Sequence, residues 1–193
     1  MQKYKNHFIP FPILETERCI LSRITEKNKA EIFSIYSDIA VMKYMQSNLL
    51  ETADGARVLI AKWSKLLNDN EGIRWGVFLK SDPTKLVGTI ALQYWNKSSH
   101  SIELGADLLK DFWGRGLAFE FTKPAIAFAF NQLNINRLEL RCNPRNTASS
   151  KIAAKFGMTY EGTLREYVYI PNKGYDDESV YSILKREYQE IEK

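Results

Sequence analysis

Between Ser101 and Leu108 the chain alternates without a break, Ile102, Leu104, Ala106 and Leu108 taking turns with Glu103, Gly105 and Asp107. A period of two is that of a strand, so the two carboxylates share one face, and that face is the first place to look for chemistry. Upstream, Arg18 to Ile24 reads as a first strand, and Glu26 to Ser37 and Thr52 to Asn68 read as amphipathic helices, the second with Ala56, Ile60, Trp63 and Leu67 on one side. Trp75 to Leu79 and Leu86 to Tyr94 are β-rich runs separated by Ser81-Asp82-Pro83-Thr84, a turn composition, which predicts an antiparallel hairpin. Polar Asn96 to His100 then leads into the alternating run. Downstream, Gly114-Arg115-Gly116 opens a helical segment reaching about Asn131, and Arg137 to Cys142 is again a strand. A strand, a helix and a strand in that order imply a parallel crossover. A short helix from about Thr147 to Lys155 stops at Gly157 as a left-handed cap, and a final strand pair surrounds Pro171-Asn172-Lys173-Gly174. The predicted fold class is α/β, a mixed central sheet flanked by helices.

Composition narrows the function classes. The 193 residues, 45% hydrophobic and 26% charged, with 10 Phe, 10 Tyr and 4 Trp, can furnish one large core, and no repeat, linker or low-complexity tract divides them. One domain over residues 1–193 is expected, and global disorder is excluded. No run approaches the roughly 18 apolar residues of a membrane span, and prolines follow the opening Met1 to His7 where a signal peptide would be apolar, so a cytoplasmic protein without membrane contact is expected. Cys19 and Cys142 lie inside apolar runs and read as buried thiols; with only His7 and His100 besides, no metal site is expected. The net charge of +4 comes from interspersed residues, 27 basic against 23 acidic, and no aromatic-basic motif points to nucleic acid. Asn96-Lys97-Ser98 fits a glycosylation sequon but reads as a polar loop.

The most informative stretch is Leu108-Leu109-Lys110-Asp111-Phe112-Trp113-Gly114-Arg115-Gly116-Leu117-Ala118, a glycine loop between strand and helix. Glycines there let backbone amides approach a ligand, and the positive end of the following helix favours a phosphate. It is not a P-loop, because no Gly-Lys-Ser/Thr follows, and Phe119 occupies the third glycine position of the dinucleotide fingerprint. A second constellation, Asn143-Pro144-Arg145-Asn146-Thr147-Ala148-Ser149-Ser150, continues to Lys155-Phe156-Gly157-Met158 just past a strand end.

Together these resemble the GNAT superfamily of acetyl-CoA-dependent N-acetyltransferases. Gly116 and Ala118 match its Gln/Arg-x-x-Gly-x-Gly/Ala signature, and Asn146, Ser149 and Gly157 its Asn-x-x-Ala/Ser signature ending in Gly-Phe. Leu14-Glu15-Thr16-Glu17-Arg18 and Tyr160-Glu161-Gly162-Thr163-Leu164-Arg165-Glu166 look more narrowly like the RimJ/RimL-type branch, which acetylates protein N-termini. Trp113 replaces the signature Gln or Arg, and Met158 the Phe of Gly-Phe. Ala153 stands where many members carry a tyrosine that protonates the departing thiolate, so that role is not carried over.

The resemblance implies strands splayed at the coenzyme site and direct transfer of the acetyl group to a primary amine. It implies contact of the coenzyme with Leu108, Leu109, Gly114, Arg115, Gly116, Leu117, Ala118, Asn146, Ser149 and Lys155. A backbone amide near Leu108 or Leu109 would stabilise the oxyanion, and Asn146 would orient the pantetheine arm. Glu103 matches the superfamily's frequent catalytic glutamate and is the candidate general base; it reads equally as a solvated or Arg-paired strand residue. Asp107 and Glu166 are weaker candidates for that role. Ser149 substitutes for the missing tyrosine in this branch, hydrogen-bonding or relaying a proton, or else it only satisfies helix backbone. Arg115 and Lys155 either meet phosphates or are solvated. Trp63, Trp75, Tyr94 and Trp95 could wall an acceptor cleft, with core packing the competing role of Trp63 and Trp75. The expected partners are acetyl-CoA and an acceptor amine, first a protein N-terminus and second a small molecule, with self-association open; a coenzyme-binding sensor without catalysis is the remaining alternative.

Overall fold

A computed structural model describes residues 6–191. The strands are β1 (Leu14–Glu15), β2 (Cys19–Arg23), β3 (Ile73–Leu79), β4 (Asp82–Asn96), β5 (Ser101–Leu108), β6 (Arg137–Cys142), β7 (Thr159–Ile170) and β8 (Gly174–Leu184). Between and after them run the helices α1 (Lys29–Ser37), α2 (Ile39–Met42), α3 (Ala53–Asn68), α4 (Leu117–Asn131), α5 (Thr147–Lys155) and α6 (Lys185–Ile191). All eight strands join one sheet in the order β1, β2, β3, β4, β5, β6, β8, β7. Only β5 and β6 are parallel, because α4 carries the chain back across the sheet between them, whereas the other neighbours are antiparallel.

Alternation along each strand divides the core between the two faces. On one face α4 buries Phe121, Ala125 and Phe128, and the Phe128 ring meets Trp75 of β3 edge-on at 5.6 Å between centroids. On the other, α1 and α3 bury Ile32, Ile35, Ala56 and Ile60 with Ile24, Phe78 and Leu86. Thr52 caps α3 by accepting from the Gly55 amide. Gly157, at φ +67°, ends α5 with the Met158 amide donating to Ala153 and its own to Ala154, the paired bonds of a Schellman cap.

Two local expectations are corrected. The hairpin turn is Lys80–Ser81, not residues 81–84: Leu79 pairs with Asp82, and register shifts beside Phe78 absorb the extra residues Pro83, Thr84 and Lys85 into an irregular start of β4. Ala106, assigned by alternation to the buried face of β5, is exposed. The reason is that β6 pairs with β5 only from Ser101 to Leu104, after which Arg141 and Cys142 remain with β8 and the two strands part. The short β1, α2 and α6 were not anticipated. Both cysteines are free and buried, and burial, with Glu178 nearby, pushes the Cys142 thiol up to about 11.

Candidate active site

Beyond the opening between β5 and β6 the chain makes a single 3₁₀ turn, Lys110–Phe112, and enters the glycine loop. Gly114 and Gly116 adopt φ of +72° and +74°, the left-handed region in which a Cβ is strained. Space is not what demands glycine there: a Cβ on Gly114 would meet nothing within 4 Å, and one on Gly116 would meet only Arg18 Nη2 at 3.8 Å. The loop is open above both positions. Behind it the first amides of α4 have no intrahelical acceptor, so they form a positive end able to receive an anion.

A clamp from the start of the chain holds this loop. Glu120, in the first turn of α4, accepts from Thr16 Oγ1 at 2.6 Å, from the Arg18 amide at 2.8 Å and from Arg18 Nε at 2.6 Å. Arg18 Nη1 also donates to the Arg115 carbonyl at 3.0 Å. Partial burial opposes ionisation of Glu120, but the Thr16 and Arg18 hydrogen bonds outweigh it and hold the carboxyl below the usual range.

The free edge of β5 can be worked out atom by atom. Leu109 donates its amide to the Val87 carbonyl at 2.9 Å, and Leu108 stands opposite Gly88. Backbone groups alternate along an antiparallel pair, so the N–H and C=O of Leu108 and Ala106 turn the other way, toward the edge that β6 has left. The expected open amide is therefore Leu108 and not Leu109, whose N–H is consumed by β4. The Leu108 carbonyl accepts from Trp113 Nε1 at 2.8 Å, a tie between the strand end and the glycine loop.

The second signature is brought up to the first. Asn146 caps α5, its Oδ1 accepting from the Ser149 amide at 3.2 Å, which leaves its Nδ2 without an acceptor among the described residues. Ser149 Oγ likewise has no partner among them. Lys155 Nζ lies 5.1 Å from the centroid of Phe119, in the first turn of α4, and Phe119 stacks on Phe156 at 4.6 Å. Arg115 is exposed, its guanidinium over the Phe112 ring at 5.3 Å.

Glu103 and Asp107 do share a face of β5, and they differ in kind. Asp107 is 6% exposed and Oδ2 accepts from Tyr36 at 2.6 Å, Thr89 at 2.9 Å and Arg74 Nη1 at 2.9 Å, so that oxygen has no lone pair left for a further donor. Glu103 is less encumbered: Oε1 accepts from Gln93 Nε2 at 3.0 Å, and Oε2 lies 3.7 Å from Arg141 Nε. Burial pushes its carboxyl up; Gln93 and Arg141 oppose the rise, and Glu178 and Glu139 add to it. Glu166 sits exposed on the β7–β8 hairpin, its backbone tied to Asp177. Of the aromatics, Trp75 is fully buried, Trp63 packs on Arg74 at 4.8 Å and Tyr94 is exposed. Trp95 packs on His7 and Phe8 of the lead-in. Gln93 and Arg74 were missed from sequence.

Residues 18–159 match the family model described as the acetyltransferase (GNAT) domain. The chain belongs to the GNAT acetyltransferase family. It is 33% identical over 175 residues to the uncharacterized N-acetyltransferase YoaA of Bacillus subtilis (strain 168), covering 91% of this chain and 98% of that one. Its fold superposes on that of spermidine N-acetyltransferase from Vibrio cholerae in complex with CoA and spermine, with a TM-score of 0.76 and 23% identity over 89% of this chain and 98% of the other. It also superposes on the ribosomal L7/L12 α-N-protein acetyltransferase RimL in complex with coenzyme A, with a TM-score of 0.77 and 16% identity over 90% and 98% of the chains. This GNAT protein is accordingly an acetyl-CoA-dependent N-acetyltransferase, and acetyl-CoA supplies the activated thioester. The residues present fit that cosubstrate: an open glycine loop at a helix N-terminus for phosphates and an unpaired strand edge for the amides of a pantetheine arm. No helix among the described residues is long and apolar enough to cross a membrane.

Proposed function

We propose that this enzyme acetylates the α-amino group at a protein N-terminus, as the RimJ/RimL-type branch does. The observation that carries the reading is the matching of charges on the Glu103 face. Glu139 and Glu178 are both held by Arg141, Glu139 and Glu161 by Arg137, and Asp107 by Arg74. A polyamine needs several unmatched carboxylates, whereas on this face each of these has an arginine beside it, Glu103 the most loosely, with Oε2 3.7 Å from Arg141 Nε. An α-amine, with a pKa near ~8 against ~10.4 for lysine, also asks less of a carboxylate base.

The geometry supports the following division of work. Glu103 accepts the proton that the amine loses as its nitrogen attacks the thioester carbonyl. The Leu108 amide, facing the open edge, donates to the oxygen that gains charge. Ser149 Oγ supplies a hydrogen bond or a proton relay to the departing thiolate. The amides of Gly114 to Ala118 hold the pyrophosphate, with the side chains of Arg115 and Lys155 alongside, and Asn146 Nδ2 orients the pantetheine arm.

The test is an acceptor panel with acetyl-CoA, read by mass spectrometry: a peptide with a free N-terminus, its N-blocked twin bearing lysine, and spermidine with other small amines. Acetylation of the first peptide at its α-amine is expected. Transfer only to spermidine or another small amine would replace the acceptor assignment while keeping the enzyme.

A further inference from the structure

Glu103 is tied to a second, buried charge through one amide. Gln93 stands directly opposite Glu103 in the β4–β5 pairing, and its side chain bridges two groups of opposite need. Arg74 Nη2 donates to Gln93 Oε1 at 3.1 Å, and Gln93 Nε2 donates to Glu103 Oε1 at 3.0 Å. A guanidinium has donors and no acceptor, so Arg74 dictates which end of the amide it receives, and the NH₂ end must then face Glu103. Arg74 cannot swing away. Its Nη1 is held by Asp107, Thr89 and Tyr36 at 2.9, 2.7 and 3.1 Å, and its ring-side partner Trp63 lies at 4.8 Å.

We propose that Gln93 is a positioning residue for acetyl transfer: polarised by Arg74, it pins Glu103 Oε1 and leaves Oε2 as the oxygen that meets the acceptor amine. The inference rests on Glu103 being the base. What Gln93 opposes is plain from the groups around that carboxylate: Glu139 on β6 and Glu178 on β8 repel its charge, and among the described residues Arg141 on β6 is the one cation in direct reach, at 3.7 Å. A charge-assisted amide donor counts in such a setting, because burial has removed the water that would otherwise solvate Oε1.

Gln93→Met keeps the length of the side chain and deletes the donor, and Gln93→Asn keeps the donor one methylene short. Carboxyl ¹³C NMR titration of the free protein should show the Glu103 midpoint rising by about one pH unit in Gln93→Met, a tenfold change in proton affinity. The acid limb of kcat/KM should rise in step, with CoA affinity by calorimetry changed less than about twofold. Gln93→Asn should fall between Gln93→Met and the parent protein. A Glu103 midpoint and acid limb that stay in place, whatever happens to the melting temperature, would overturn the positioning role. Glu103→Gln run alongside separates the two ideas: if it leaves the acid limb where it was, the base assignment fails, and if it removes the limb while Gln93→Met does not move it, only the role of Gln93 fails.

Discussion

Arg18 and Glu120 stand 2.5 Å apart at their charged ends, joining the residue just before β2 to the first turn of α4. Because Arg18 also holds the Arg115 carbonyl, the pair fixes the path of the glycine loop and the direction in which its amides point. The Thr16 and Arg18 segment therefore shapes the glycine loop although it is remote from the loop in sequence.

The clamp has a pH signature. The folded-state carboxyl of Glu120 lies below its unfolded value, so its stabilising contribution is complete above the unfolded pKa and is lost as pH falls through the lowered folded one. Glu120→Gln should remove that contribution and flatten the acid side of the melting-temperature profile. With Arg18 nearly half exposed, the loss at neutral pH should be about 1 kcal/mol, or roughly 2–4 °C. CoA affinity should fall as well. A variant with unchanged CoA affinity by calorimetry would show that the loop keeps its shape without the clamp.

Gly116 permits a sharper test. Valine at φ +74° is strained by its branched Cβ whatever the surrounding space, and it projects into the open side of the loop. Gly116→Val should weaken CoA binding at least about tenfold, equivalent to ~1.4 kcal/mol, while circular dichroism still reports a folded protein. Equal affinity in a folded variant would remove the pyrophosphate from this loop.

How far the fold could be read from the chain depended on whether the signal was local. The span of β5, the span of α5 and the Gly157 cap are set by neighbours within a few residues, and all three match the structure. The candidate site was legible where its residues lie in contiguous signatures, as with Gly114 to Ala118 and Asn146 to Ser149. It was not legible where function depends on which strands pair. Whether Leu108 or Leu109 offers its amide is decided by Val87 across the sheet, and the parting of β5 from β6 that exposes Ala106 is a property of two strands, not one. Arg74 and Gln93 carry no motif at all; they meet Glu103 only because β3, β4 and β5 are neighbours in the sheet. Thr16 and Arg18 fell within a stretch that resembled the family, yet their partner Glu120 lies over a hundred positions away.

Asp107 provides the contrast that isolates Glu103. Both carboxylates project from the same face of β5, so alternation alone treats them alike, but Asp107 is buried with Oδ2 taken up by Tyr36, Thr89 and Arg74, while Glu103 is more exposed and accepts one hydrogen bond, from Gln93, with Arg141 at 3.7 Å. The Arg74 and Asp107 side chains are 11% and 2% exposed, which makes this a buried ion pair whose halves depend on each other. Asp107→Ala would strand the guanidinium without its counter-charge, a change that costs about 3–5 kcal/mol and should lower the melting temperature by roughly 10 °C. Tyr36→Phe, which removes one hydrogen bond and leaves the ion pair, should cost only about 1–2 kcal/mol. Neither variant deletes the group assigned to take the proton. Where enough folded protein remains for kinetics, the acid limb of kcat/KM should therefore persist in both, whereas Glu103→Gln should lower kcat by ~10²- to 10⁴-fold. Loss of the acid limb in folded Asp107→Ala protein, with Glu103→Gln nearly fully active, would transfer the base role to Asp107 and require the cluster around it to open during turnover.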